Sequence, residues 1–521
     1  MSSPPRNSAS LYVVNAGSSV LTTIIRMTVL MWVSQYLLRR VAPEEYALIP
    51  IIASLLTVAE LFPTIFLRGL SRFMVEADAC GDGDRLSSIV SSMAPILATV
   101  AIVLFAGGVF AAVQIDSIII VDPAYRTDAQ IMLLMLMALL CVTVATTPFR
   151  VGLFVRMRFV EQNLILLGTE TLRVLLLLTL LFGVSTRALW VAVASSAANL
   201  VHIIILVAYT AWILPHARFR WSMISGTTIR LLMSFSLWTL VQGFNNLVLQ
   251  AVPALLLNRH AAPIDVVSFQ IGNLADVQIR KLVISAMAPA GPALTTVYAK
   301  EGESALRDFY YMGGRYYLWV TLFLLPPLLA FAYPLIDLYV GARYAEAGTV
   351  MILVLGAYPL TWASAMFYQI AYAVGRIRSF NVCSVFLGVI TLGSIWYFVA
   401  VRDMGATGAA IGLGAGYGLT HLIIIWPFGL RLVGGSWSVF LLRTLLPGVT
   451  PFAAALAICF LYGWFLPIDS WAIFFAGCAL SALLYVAVLF GVCLSPQDKR
   501  LVSRAYKKII RRLRPGKGPK P

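Results

Sequence analysis

The sequence predicts an all-α polytopic membrane protein with about fourteen transmembrane helices. Three observations carry this expectation. Of the 521 residues, 60% are hydrophobic and only 12% charged, about half the charged fraction of an average soluble domain. Mean hydropathy is +0.89. Apolar runs of roughly 20 residues, enough to cross a hydrocarbon core, recur along the whole chain. The runs are continuous, whereas the strands of a barrel alternate. Backbone groups in lipid must find their partners within the segment, so helices remain.

The spans read as 11–38, 46–67, 87–113, 128–148, 159–183, 187–213, 229–257, 264–289, 314–340, 347–373, 379–401, 407–430, 441–465 and 470–494. An even number puts both termini on one side. Loop arginines and lysines choose that side. With a cytoplasmic N-terminus, 17 of them lie inside, counting Arg6, against 7 outside. The N-terminal apolar stretch is interrupted by Asn15 and Arg26 and lacks a small-residue cleavage site, so it reads as a retained helix. Much of the net charge of +16 sits in the tail from Lys499 to Lys520, where anionic membrane lipid is the expected partner.

The chain repeats at a spacing of about 220 residues. Pro43 pairs with Pro263, Leu86 with Leu306, Arg156 with Arg376 and Arg158 with Arg378. The repeat implies two homologous halves: an N-lobe over 11–213 and a C-lobe over 229–430, joined by a cytoplasmic linker at 214–228. Two additional helices fill 441–494; a cytoplasmic segment 1–10 precedes the N-lobe, and the basic cytoplasmic tail 495–521 follows the last helix. Halves of six helices are parallel repeats, and transporters built this way bind substrate between them. Gly408, Gly412 and Gly416 form a small-residue face for close helix packing. Pro63, Pro95, Pro253, Pro326, Pro327 and Pro359 mark expected kinks or breaks.

Enzyme chemistry is not visible. No phosphate-binding loop, HExxH or GxSxG motif is present, and the six cysteines lack metal-like spacing. No cofactor and no nucleic-acid partner are expected. Ionisable residues at bilayer depth are the signal instead, since each costs at least about 2.5–3.5 kcal/mol and marks a pathway by default. These are Arg26, Glu60, Glu170, Arg173, Asp276, Arg280 and Lys281. Asn15, Ser19, Thr22 and Arg26 make one polar stripe, and Gln242, Asn245, Asn246 and Gln250 make another. Asn273, Asp276 and Arg280 share a face of the eighth span. Glu170 with Arg173 and Asp276 with Arg280 have the spacing to neutralise each other. The alternative is that they line a central cavity. The candidate substrate-binding set is Arg26, Arg173, Gln242, Asn245, Asn246, Asn273, Arg280 and Lys281, with Glu60 and Asp276 as candidate ion-coupling groups.

Several loops carry a resemblance. They are Arg40-Val41-Ala42-Pro43-Glu44-Glu45-Tyr46, Leu67-Arg68-Gly69-Leu70-Ser71-Arg72-Phe73 with Gly81-Asp82, and Arg156-Met157-Arg158-Phe159. Tyr339-Val340-Gly341-Ala342-Arg343-Tyr344-Ala345, Gly375-Arg376-Ile377-Arg378 and Gly405-Ala406-Thr407-Gly408-Ala409-Ala410 complete the set. In this order they resemble the polysaccharide-transport (Wzx-like) flippases of the multidrug/oligosaccharidyl-lipid/polysaccharide exporter superfamily, over residues 8–495. One departure is Ala47, where that family usually has Gly. The resemblance implies two six-helix lobes and alternating access in a bacterial inner membrane. It further implies ion-coupled export of an undecaprenyl-diphosphate-linked oligosaccharide, with a polysaccharide polymerase and glycosyltransferases as partners. A drug/cation antiporter of the same superfamily and a non-transporting scaffold of a synthesis complex are the alternatives. Buried basic residues at least as numerous as acidic ones favour the flippase.

Overall fold

The computed structural model describes residues 31–156, 158–230, 232, 247–287, 303–374, 377–494 and 498. The described residues are 87% helical, with no strand among them. Among its helices are α1 (31–40), α2 (Leu48–Ala79), α3 (Gly83–Val113), α4 (Arg126–Ala145), α5 (Phe159–Gly183), α6 (Leu189–Ile213) and α7 (Val252–His260). They continue with α8 (Pro263–Met287), α9 (Glu303–Leu322), α10 (Glu346–Gly356), α11 (Ile377–Trp396), α12 (Gly405–Thr420), α13 (Leu446–Phe465) and α14 (Trp471–Val488). Eight helices among the described residues are long and apolar enough to cross a membrane. Most of the first and seventh expected spans lie outside the described residues.

Proline placement explains where spans break. Pro326 and Pro327 open a new helical piece at Leu325–Ala330 after α9, and Pro359 opens Tyr358–Trp362 after α10. A proline in the first turn loses no intrahelical bond, so each new piece starts there. The expected spans 314–340 and 347–373 are therefore segmented helices. Pro95, by contrast, sits inside the continuous α3.

The loop motifs have visible work. Gly81 takes φ +68°, a conformation L side chains avoid, and lets the chain turn out of α2. Asp82 then caps α3, accepting from the Arg85 N–H at 2.9 Å. Ala47 has ordinary helical φ −59° and ψ −24°, so a side chain costs nothing where the resembling family has glycine.

Contacts group the chain into two compact units. The first comprises Met1–Ala286, Tyr339–Val354 and Arg376–Thr420. Within it, the glycine face of α12 lies directly on α11: a Cβ at Gly412 would come 2.5 Å from Ile395 Cα, and one at Gly416 3.1 Å from Thr391 Cα. Glu45, 7% exposed, accepts from the Ala188 N–H at 2.7 Å and so satisfies a donor at the start of α6. Asp265 does the same for α12, accepting from the Ala406 N–H at 3.2 Å. Asp265 lies 220 residues after Glu45, and Ala406 lies 218 after Ala188. Asn258 at the end of α7 accepts from the Ile120 N–H at 2.8 Å and donates to the Ile120 carbonyl at 2.9 Å. The segment 214–228 is stitched to α3 by a row of serines. The Ser87 hydroxyl donates to the His216 carbonyl at 2.6 Å, while Ser91 and Ser92 accept from the N–H groups of Arg220 and Ser225 at 2.8 and 3.0 Å.

The second unit comprises Met287–Leu338, Leu355–Gly375 and His421–Pro521. Its core includes Phe331, Cys459 and Phe474, with Tyr462 packed against them. Aromatic side chains bind α9 to the last two helices: Trp319 Nε1 donates to the Pro447 carbonyl at 2.8 Å, and the Tyr485 hydroxyl donates to the Trp319 carbonyl at 3.0 Å. Asp498 is buried and accepts from Arg315 at 2.7 Å and from the Tyr316 hydroxyl. The rest of the basic tail lies outside the described residues.

Candidate functional site

The helix geometry brings one expected cluster together. Asp276 and Arg280 sit one turn apart on α8, and Arg280 Nη2 donates to Asp276 Oδ1 at 2.7 Å. The carboxylate is the more buried partner, with 7% of its side chain exposed against 29% for the guanidinium. Tyr417 of α12 completes the group, its ring centroid 5.7 Å from the Arg280 guanidinium carbon. One turn before Asp276, Asn273 is 7% exposed and its Oδ1 has no hydrogen-bond partner. An amide oxygen buried without a donor costs about 1–3 kcal/mol, so this face of α8 holds unmet hydrogen-bonding capacity beside an ion pair. Lys281, the next residue, is exposed.

A second pair stands on α5. Arg173 Nε donates to Glu170 Oε2 at 2.7 Å, and its Nη2 lies 2.6 Å from the same oxygen; both side chains are 15% exposed. The two contacts converge on one carboxylate oxygen, which leaves Arg173 less free to grip a substrate than an unpaired arginine. Glu60 on α2 is exposed and is joined to neither pair. Arg26, Gln242, Asn245 and Asn246 lie outside the described residues.

Both pairings were legible from i,i+3 and i,i+4 spacing. Tyr417 was not. It lies among Gly414, Gly416 and Gly418, a composition that reads as packing alone. Its signal is that it is the one bulky polar side chain between those glycines. Glu45 and Asp265 were equally hidden, although both follow the paired prolines Pro43 and Pro263 by two residues.

The fold occurs in solved transporters. The lipid II flippase MurJ in an inward closed conformation aligns with TM-score 0.66 at 12% identity, covering 92% of this chain and 99% of that one. An inward-facing multidrug resistance MATE family transporter of the MOP superfamily aligns with TM-score 0.64 at 11% identity, over 79% of this chain and 94% of that one. A MOP superfamily transporter from Pyrococcus furiosus, described as having a binding pocket of reversed polarity, aligns with TM-score 0.57 at 13% identity, over 82% and 96%. No curated protein matches the sequence.

Fold and intramembrane charges together define a polytopic membrane protein with the architecture of flippases and exporters. The chain belongs to the polysaccharide biosynthesis protein family, whose model, described as "Polysaccharide biosynthesis protein", matches residues 12–286, more than half of its length. Its fold is the one those flippase and exporter structures share.

Proposed function

We propose that this protein flips an undecaprenyl-diphosphate-linked oligosaccharide from the cytoplasmic to the periplasmic leaflet of a bacterial inner membrane, for assembly of a cell-surface polysaccharide. The observation that carries the reading is the polar face of α8. Asn273 with its unpartnered oxygen, Asp276 and Arg280 share the middle of α8 in a member of a polysaccharide biosynthesis family. In this reading two six-helix lobes, 11–213 and 229–430, alternate access around a cavity lined by Arg26, Arg280 and the amide stripe of Gln242, Asn245 and Asn246. Both termini are cytoplasmic. Arg26 grips the diphosphate, whose oxygens suit the paired donors of a guanidinium. Asp276 holds Arg280 until the anion competes for it. Glu60 or Asp276 carries the coupling proton or cation. The recurrence of the Glu45 and Asp265 contacts, about 220 residues apart, supports the two-lobe reading.

The test is export of polysaccharide in cells carrying Arg26→Ala or Arg26→Lys at normal membrane levels. Export falls in Arg26→Ala and partly survives in Arg26→Lys. Wild-type export by Arg26→Ala removes Arg26 from the site. Wild-type polysaccharide in a strain lacking the protein, with loss of drug efflux, moves the function to the antiporter class. Orientation is tested separately with Ile510→Cys in a Cys80→Ser background: an impermeant thiol reagent applied to intact cells leaves it unlabelled.

A further inference from the structure

Arg156 and Arg158, prominent in the sequence, are not used by the flippase reading. They line a cavity of about 280 Å3 together with Trp212 and Ile213, between the start of α5 and the end of α6. We propose that this cavity binds the phosphate headgroup of an anionic phospholipid.

The guanidiniums are held but not consumed. Arg156 Nη2 lies 3.0 Å from Asp78 Oδ1, and Arg158 Nη1 lies 3.3 Å from the Tyr209 hydroxyl and 3.7 Å from Glu161 Oε1. Each contact engages one nitrogen of a five-donor fork, so both side chains keep donors for phosphate oxygens. Both are nearly half exposed. The two carboxylates orient the arginines and lower the local charge, which suits a singly charged phosphodiester better than a diphosphate. The volume points the same way. It lies just under the usual range for ligand pockets, roughly 300–1,000 Å3, and suits a headgroup rather than a lipid-linked sugar.

The surroundings identify the source as a lipid. Trp212 is 70% exposed and meets Tyr209 edge-on at 5.5 Å between ring centroids. Such rings collect at the membrane–water boundary. Further along the same helices Leu164, Ile204 and Ile205 are exposed, as is Phe154, two residues before Arg156. A phospholipid diffusing in the leaflet reaches the arginines laterally, with acyl chains along α5 and α6. A soluble anion meets the same arginines without those apolar contacts. Basic pockets between membrane helices on the cytoplasmic side are the known setting for anionic headgroups.

The experiment titrates the full-length detergent-solubilised protein with phosphatidylglycerol, phosphatidylcholine, inorganic phosphate and inorganic diphosphate, counting bound molecules by native mass spectrometry. Phosphatidylglycerol binds most tightly. Arg158→Gln weakens it about fivefold, the effect of one surface arginine on an anionic lipid. Arg158→Lys retains most of the affinity, and Arg187→Gln, at the other ends of the same helices, retains all of it. Equal binding of the two lipids overturns the proposal. So does unchanged affinity in an Arg158→Gln protein that melts like wild type, or phosphate or diphosphate binding as tightly as the lipid. If Arg158→Gln does not fold, photoactivatable phosphatidylglycerol applied to the wild-type protein decides: adducts within 152–165 and 204–213 support the site, and adducts confined elsewhere overturn it.

Discussion

Glu45 holds the Ala188 N–H at 2.7 Å, across 143 residues of chain. Its carboxyl is pushed above the ordinary 4.5, chiefly by burial, with Asp128 acting in the same direction; the Ala188 N–H and Arg187 oppose them. A carboxyl with a raised folded pKa contributes stability that is fully present below its unfolded value and lost as pH rises through the folded value. Glu45→Gln keeps the acceptor and removes the charge. We expect it to melt above wild type at pH 7, with the difference vanishing below about pH 4.5. Glu45→Ala orphans the donor and loses about 1 kcal/mol below about pH 4.5, and less at pH 7, because it too removes the buried charge. Thermal unfolding in detergent across that range checks both. A Gln variant less stable at pH 7 would mean that the charge at the helix N-terminus outweighs its burial.

Asn258 grips both backbone groups of Ile120. Replacing it with Leu removes two hydrogen bonds, each worth about 0.5–1.5 kcal/mol net, from backbone groups of Ile120, which is itself exposed. Asn258→Asp keeps the acceptor but not the donor and lies between. The order Asn, Asp, Leu in melting temperature is the expected result; equal melting of all three refutes the clasp.

Gly412 has no room for a side chain. Its added methyl would lie 2.5 Å from Ile395 Cα and 2.6 Å from Ile395 N, contacts that only a backbone shift relieves. Gly412→Ala therefore costs about 1–3 kcal/mol as overpacking. Gly393→Ala on α11, with nothing within 4 Å, is neutral or slightly stabilising because alanine prefers the helix. Yield and melting temperature of the two purified variants provide the comparison.

The Asp276–Arg280 pair predicts non-additivity. Either neutral variant alone, Asp276→Asn or Arg280→Gln, strands a charge that had a partner at 2.7 Å. The double variant strands none and should be more stable than the sum of the single effects by about 0.5–3 kcal/mol. A double-mutant cycle on unfolding measures it. Strict additivity would show that the two side chains act independently.

Lipid made the helices legible, because each span must satisfy its own backbone and therefore carries its signal locally. Pro326, Pro327 and Pro359 were visible as breaks, and Gly408, Gly412 and Gly416 as a packing face, for the same local reason. Glu170 with Arg173 and Asp276 with Arg280 were visible because partners one turn apart share a face. Contacts between distant segments were not. Nothing near Glu45 names Ala188, nothing near Asn258 names Ile120, and Tyr417 meets Arg280 only through packing of α12 beside α8. Their chemistry is ordinary, and only the fold selects which ordinary residue does the work.

The serine row along α3 changes how much leash separates the segments on either side of 214–228. Fifteen residues of linker look long enough to let its two ends wander independently. Ser87, Ser91 and Ser92 fasten the stretch through Ser225, so those residues travel with α3 as if they were part of its side wall. The fastening carries on past Gly226: residues 226–230 are helical, the Thr228 N–H donates to the Ser225 hydroxyl at 3.4 Å, and the Thr228 and Ser88 hydroxyls lie 3.5 Å apart. Lengthening the chain between His216 and Arg220 would therefore add slack there without freeing the residues fastened on either side.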